Sequence, residues 1–205
     1  MNKFVFGITG ATGAGKTTVS NIFRDLGVYI VDCDIIAKQI TSSNIDCLFE
    51  IESSFGKDVF EDDGALNRRK LADIVFGNDD KLKLLNKITH KYIKEQIEYE
   101  IKTCDNDIIA IDGAVIIGSP VEEICRLMVV VSADEKVRAQ RIMARDGISY
   151  EFALKRISSQ KSNEEYEQYA DFIIENNDNV RLGEYIEKIY NIIKNFSEAE
   201  RKKNS

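Results

Sequence analysis

The 205-residue sequence predicts an α/β fold built on a five-stranded parallel sheet with helices on both faces. Three observations predict it. Short apolar runs alternate along the chain with stretches of helical periodicity, the order that builds a parallel sheet rather than a sandwich or a bundle. The first run, Phe4-Val5-Phe6-Gly7-Ile8, is apolar in succession, as a strand buried on both faces must be. Hydrophobic residues make up 43% of the chain, enough to fill the core such a sheet needs.

In chain order, a buried strand over residues 3–9 runs into a glycine-rich turn. A helix follows over 16–26, with Val19, Ile22, Phe23 and Leu26 at helical spacing and Gly27 where a helix stops. A second strand is expected over 28–31. Residues 34–103 then break the alternation. They are mostly helical, hold no convincing core strand, and read as an inserted lobe (about 35–104) of the kind that binds a second substrate. Its longest helix covers 79–103, with Leu82, Leu85, Ile88 and Tyr92 on one face, while Phe55, Phe60 and Phe76 are read as core of the lobe. Further strands are expected over 108–111, 127–131 and 172–174. Between the last two, a helix over 135–145 capped by Asp134 and a helical segment after Gly147 make a lid over about 138–166. The polar residues 198–205 read as a frayed tail. Lobe and lid are parts of a single domain, 1–205.

The 28 Lys+Arg against 35 Asp+Glu leave a net charge of −7. A nucleic-acid or anionic-membrane surface needs the opposite balance, so neither is expected as a partner, and any anion must be held by locally gathered positive charge. No apolar run approaches the ~18 residues of a membrane span. The start, Met1-Asn2-Lys3-Phe4, lacks a signal-peptide layout, and the chain is expected in the cytoplasm. Cys33, Cys47, Cys104 and Cys125 form no Cys-x-x-Cys pair and are expected to be reduced. His90 is the only histidine, which leaves zinc sites and histidine-based triads almost nothing to work with.

Gly10-Ala11-Thr12-Gly13-Ala14-Gly15-Lys16-Thr17 satisfies G-x-x-x-x-G-K-[ST], with the required strand before it and helix after it. Glycines let the backbone curl until successive N–H groups point at phosphate oxygens. Lys16 would reach the β- and γ-phosphates of ATP, Thr17 would offer its hydroxyl to Mg²⁺, and the helix start adds its positive dipole end. Such a loop serves kinases, GTPases and motor ATPases alike. No Asp-x-x-Gly occurs, and Asn86-Lys87-Ile88-Thr89 lacks the Asp of a guanine-reading motif, so a small-molecule kinase suits this length better than a GTPase.

Other candidates gather around this loop. Asp32 and Asp34 follow the second strand, where a parallel sheet presents its ligand edge. One could meet an acceptor hydroxyl or a metal, and either could cap the next helix. Asp112 ends the strand 108–111 as a Walker-B acid does, or is an acidic loop residue. Arg138, Arg141 and Arg145 share a helix face, read either as a solvated face or as a site for an anion between them. Arg156 and Gln160 continue the helical spacing as a flap over the transferring group. Arg68 and Arg69 offer a grip for a second anionic substrate. His90 is a packed or surface imidazole, or a site residue.

Taken together these motifs identify the chain as similar to the dephospho-coenzyme A kinases, a resemblance running from about Phe4 to Asn176. It is carried by Gly7-Ile8-Thr9-Gly10 with Gly15-Lys16-Thr17-Thr18, by Asp32-Cys33-Asp34-Ile35-Ile36-Ala37, and by Gly64-Ala65-Leu66-Asn67-Arg68-Arg69-Lys70-Leu71-Ala72. Arg141 with Arg145-Asp146-Gly147, then Arg156 with Gln160, and Ala170-Asp171 with Asn176 complete it. The resemblance implies a P-loop kinase fold that transfers the γ-phosphoryl of ATP, with Mg²⁺, to the ribose 3′-hydroxyl of dephospho-CoA. It implies that Asp34 faces that hydroxyl, that Lys16 and Thr17 serve ATP and Mg²⁺, that Arg141 and Arg145 belong to the lid, and that Arg68 and its lobe receive the acceptor. His90 and Asp112 are counted with the acceptor site. The chain departs from the family at Lys91, where proline is usual, across Ala114-Val115-Ile116-Ile117-Gly118, and at Tyr166, where a basic residue is usual. Two rival readings are another small-molecule P-loop kinase and a non-catalytic nucleotide-binding protein on the same fold.

Overall fold

The computed structural model describes residues 3–177 and 181–203. Met1, Asn2, Asn204 and Ser205, which belong to the N-terminal and tail readings above, lie outside them. The chain divides into two compact units: one runs to Asp32 and resumes at Thr103, and the other is Cys33–Lys102.

The first unit is built on five parallel strands, β1 (Phe4–Thr9), β2 (Tyr29–Asp32), β3 (Ile108–Asp112), β4 (Met128–Ser132) and β5 (Phe172–Glu175), in the order β2-β3-β1-β4-β5. The outcome is the doubly covered parallel sheet expected from the alternation. β2 and β4 each begin and end one residue later than their apolar runs, because pairing extends to the polar ends Asp32 and Ser132. β1 is central, paired with β3 and β4, and every one of its residues is buried. On one face Phe4, Phe6 and Ile8 meet helix α1 (Lys16–Asp25) through Val19 and Phe23, and helix α9 (Leu182–Lys203) through Ile186, Ile189 and Ile193. Phe6 and Phe23 meet edge to face, 5.2 Å between centroids. The alternate residues Val5, Ile109, Ile111 and Val130 are just as buried, so the second face is covered too.

Helices α6 (Glu135–Asp146), α7 (Tyr150–Ser158) and α8 (Asn163–Glu167) fill the interval between β4 and β5. α6 and α7 share a small core of Ala139, Ile142, Ala153 and Ile157, and Gly147 takes the left-handed conformation that lets the chain turn between them. Asp134 sits at the cap position of α6, but its side chain makes no capping bond; its backbone N–H instead donates to Asn177 Oδ1. Residues 198–203 are not frayed. They complete α9, where Arg201 pairs with Asp107 at 2.9 Å and Glu200 with Arg126 at 2.8 Å.

The second unit holds α2 (Cys33–Ser43), α3 (Ile45–Phe55), α4 (Arg68–Val75) and nearly all of α5 (Asp79–Thr103). Asn44 and Asn67 cap α3 and α4 with side-chain oxygens on Cys47 N and Lys70 N. Phe76 is not core of this lobe: it is 90% exposed. Leu71 and Val75 take the inward face of α4, one turn apart, and Phe76 follows just past the helix end in extended backbone. Leu82 is likewise exposed, since the buried side of α5 begins only at Ile88. Lys91, where the sequence departs from the family, ties α5 to α3: its ammonium bonds Glu50 at 2.8 Å, and the Tyr92 hydroxyl donates to the same carboxylate at 2.6 Å.

Two outcomes follow from this packing. Gly10 leaves β1 with φ +145°, and a Cβ there would stand 2.2 Å from the Val131 carbonyl oxygen. Gly10→Ala therefore lowers the urea midpoint by an amount worth roughly 2 kcal/mol or more. Burial pushes the thiol of Cys47 up to about 11 and that of Cys125 up to about 12. At pH 8 both stay protonated and resist iodoacetamide in the native protein, and both react once urea exposes them.

Candidate active site

The loop after β1 is fixed by its carbonyls. Ala11 and Ala14 are buried, at 1% and 0% exposure, and pin the two ends of the curl. Lys16 Nζ donates back to the Gly10 carbonyl at 2.9 Å. Arg138 Nε donates to Thr12 O at 3.0 Å, Arg141 Nη1 to Gly13 O at 3.4 Å and Ala14 O at 3.3 Å, and Asn176 Nδ2 to Ala14 O at 2.8 Å. The Thr12 N–H donates to Gln160 Oε1 at 3.0 Å. In a planar trans peptide, C=O and N–H point in opposite directions. Holding the Thr12 and Ala14 carbonyls therefore turns the N–H groups of Gly13 and Gly15 the other way, as an anion nest requires. Gly13 and Gly15 have φ of +79° and +90°, and a Cβ on Gly15 would come 2.1 Å from Asn176 Nδ2. α1 begins at Lys16, so its dipole and its first exposed N–H groups face the same anion. Thr17 and Thr18 are exposed on this first turn.

At the carboxyl ends of the strands, Asp112 stands in register with Ile8 on one side and Asp32 on the other. Ser20, buried on α1, donates to Asp112 Oδ2 at 2.7 Å. Two neighbouring carboxylates at the strand edge and the hydroxyl of Thr17 on α1 are hard oxygen donors, the chemistry that Mg²⁺ takes. No group of three or more His, Cys, Asp or Glu able to hold a metal occurs among the described residues.

The three arginines of α6 do not share one environment. Arg138 is only 3% exposed, which overturns a solvated face for it. Arg141 lies against the loop. Arg145 is bonded instead to Asp146 at 2.7 and 3.0 Å, and Arg156 bonds the same carboxylate. Arg145, through its hydrogen bonds and charge, is the main cause that holds the Asp146 carboxyl below its usual range. Tyr166 is buried, and its hydroxyl donates to Ala114 O at 3.4 Å, so two of the sequence departures meet. The segment after Asp112 is anchored by Ile116 and Ile117, both buried, while Val115 is exposed.

In the second unit, Asp34 occupies the exposed first turn of α2. Arg68 begins α4 and its Nη2 donates to Thr41 Oγ1 at 2.7 Å, Ser42 Oγ at 3.1 Å and Lys38 O at 3.3 Å, bracing the last turn of α2. His90 is half-buried on α5, and burial lowers its pKa, leaving a neutral imidazole at pH 7.

Asn176 and Ser20 bear on the loop and the strand edge with no role assigned to them by pattern or spacing, while Arg138 and Gln160, read as an anion or solvated face and as a flap, bond the loop's own peptide groups. Asn176 has no signal beyond its place among the family motifs; Gln160 stands there too and also shares helical spacing with Arg156. Arg138 lies beside Ala139 and four residues before Ile142, an inward-facing setting that a count of arginines hides.

Comparison with known proteins bears on the whole chain. The family model described as dephospho-CoA kinase matches residues 4–181. A dephospho-CoA kinase of Fusobacterium nucleatum is 37% identical over 200 residues, spanning 97% of this chain and all of that protein. A Thermus thermophilus crystal structure superposes with a TM-score of 0.80 at 27% identity, covering 93% of this chain and 97% of its own. A dephospho-CoA kinase structure from Campylobacter jejuni gives 0.59 at 28% identity, covering 94% and 98%. With a glycine loop built to hold phosphate and a match that runs through both units, the chain belongs to the dephospho-CoA kinase family.

Proposed function

We propose that the chain transfers the γ-phosphoryl of ATP to the ribose 3′-hydroxyl of dephospho-CoA, giving coenzyme A and ADP, with Mg²⁺. The observation that carries this reading is the family match over residues 4–181, which includes the phosphate loop and the whole of the Cys33–Lys102 unit. Nothing favours the rival small-molecule kinases or a non-catalytic role.

Phosphoryl transfer asks little covalent chemistry of a protein; positioning and charge neutralisation supply most of the rate. Gly10, Ala11, Thr12, Gly13, Ala14 and Gly15 form the curl around the ATP phosphates, with the N–H groups of Gly13 and Gly15 turned towards them. Lys16 exchanges its bond to Gly10 O for phosphate oxygens, and Thr18 adds a hydroxyl. Arg141 turns from the loop carbonyls towards the transferring group, and Arg145 contributes once nucleotide competes with Asp146. Thr17 would hold Mg²⁺, with Asp112 and Asp32 acting through water; bound there, the ion would neutralise charge on the phosphates. Asp34 accepts a hydrogen bond from the acceptor hydroxyl and takes its proton late in the transfer. Arg68 and His90 belong to the acceptor side. The polyanionic acceptor suits a guanidinium already held at one edge by three oxygens.

A coupled assay for ADP release, run with and without dephospho-CoA, tests the reading; release that ignores dephospho-CoA contradicts it. Lys16→Ala, which removes a side chain serving phosphate rather than core, folds normally and loses about 10²-fold or more in turnover. Asp34→Asn keeps the shape and a hydrogen bond but cannot take a proton. It lowers kcat by about 10²–10⁴-fold while ATP affinity stays near that of the unaltered protein. Undiminished kcat in Asp34→Asn removes that carboxylate from the chemistry.

A further inference from the structure

Arg138 carries a buried charge that no carboxylate bonds. The residue is 97% buried. Nε is spent on Thr12 O and Nη1 on Asn163 Oδ1 at 3.1 Å, both neutral acceptors. Nη2 is buried with no hydrogen-bond partner. The acids that act on it through space, Glu135 and Glu164, are exposed, and Tyr166 beside it, its pKa raised by burial, is a neutral phenol at pH 7. Burial lowers the Arg138 pKa, outweighing the opposing pull of Glu135 and Glu164. A guanidinium so placed costs the ligand-free fold free energy. A glutamine, whose amide nitrogen follows Cδ as Nε does in arginine, could keep a donor for Thr12 O without that cost.

What lies next to the charge is the phosphate loop. A Cβ on Gly13 would meet the Arg138 carbonyl oxygen at 2.8 Å and its Cβ at 3.1 Å, so the α6 backbone is packed directly on the loop. The guanidinium then sits on one side of the Thr12–Gly13 peptide, whose N–H points to the other. Charge acting across one layer of buried peptide is screened far less than charge in water. Asn163 passes the contact on, donating to Ala133 O at 2.9 Å at the end of β4.

We propose that Arg138 is a positioning residue whose buried charge is balanced by the nucleotide's polyphosphate: it fixes the Thr12 carbonyl, polarises the peptide whose N–H faces the phosphates, and makes anion binding and lid packing one event. This rests on the loop's being a polyphosphate site and is independent of which hydroxyl accepts the phosphoryl group.

The test compares Arg138→Gln, which keeps hydrogen-bond donors without charge, with Arg138→Lys, which keeps the charge without the fork. Binding of inorganic tripolyphosphate and of ATP is measured by calorimetry at pH 7 and two salt concentrations, with thermal melts of the ligand-free proteins. Arg138→Gln is expected to melt at or above the unaltered protein, to bind both ligands about 10-fold more weakly or worse, and to show a shallower salt dependence. Arg138→Lys is expected to bind within about 3-fold of the unaltered protein, because the charge and not the fork is what the phosphates feel. The proposal is overturned if Arg138→Gln binds as well as Arg138→Lys, or if Arg138→Gln fails to fold, since either result makes the residue a hydrogen-bonding clamp. An unaltered protein that does not bind tripolyphosphate overturns it together with the phosphate-loop reading.

Discussion

The arrangement of the phosphate loop depends on where its carbonyls go. A short curl of glycines has no structure of its own, and its N–H groups converge only if the opposite ends of the same peptides are held. Here Arg138, Arg141 and Asn176 hold the carbonyls of Thr12, Gly13 and Ala14, and Gln160 holds the Thr12 N–H. The loop is therefore built as much by the segment from the end of β4 to just past β5 as by its own glycines. The two demands on Gly15, a positive φ and the approach of Asn176, show the same coupling from the backbone side.

This explains why the site was only half legible in the sequence. β1, the loop and α1 are contiguous, so their apolar run, glycine spacing and helical periodicity reveal them with no knowledge of the rest. Asn176 reaches Ala14 across 162 positions and Gln160 reaches Thr12 across 148, and no local pattern encodes those contacts. Arg138, Arg141 and Arg145 illustrate the limit. Their spacing places them near one face of α6, but three fates follow: burial, contact with the loop, and an ion pair with Asp146. Which side of a helix is covered is decided by what packs on it. Phe76 shows the same limit in reverse, an aromatic side chain that falls just past a helix end and stays exposed.

The departures from the family have local accounts. Lys91 joins Glu50 and Tyr92 in a bonded cluster between α3 and α5. Tyr166 reaches Ala114, in the altered segment after Asp112, and both lie in the same unit as Arg138. A neutral phenol next to a buried guanidinium avoids the repulsion that a second cation would bring. Among the described residues no helix is long and apolar enough to cross a membrane.

The central claim is that a phosphoryl group leaves ATP for one particular hydroxyl. Phosphorus NMR of the products formed from ATP and dephospho-CoA addresses it most directly. The account predicts a new phosphomonoester resonance whose coupling places it on the ribose 3′ carbon, growing in step with ADP. Inorganic phosphate in its place, or a phosphate on any other oxygen of the acceptor, would contradict it.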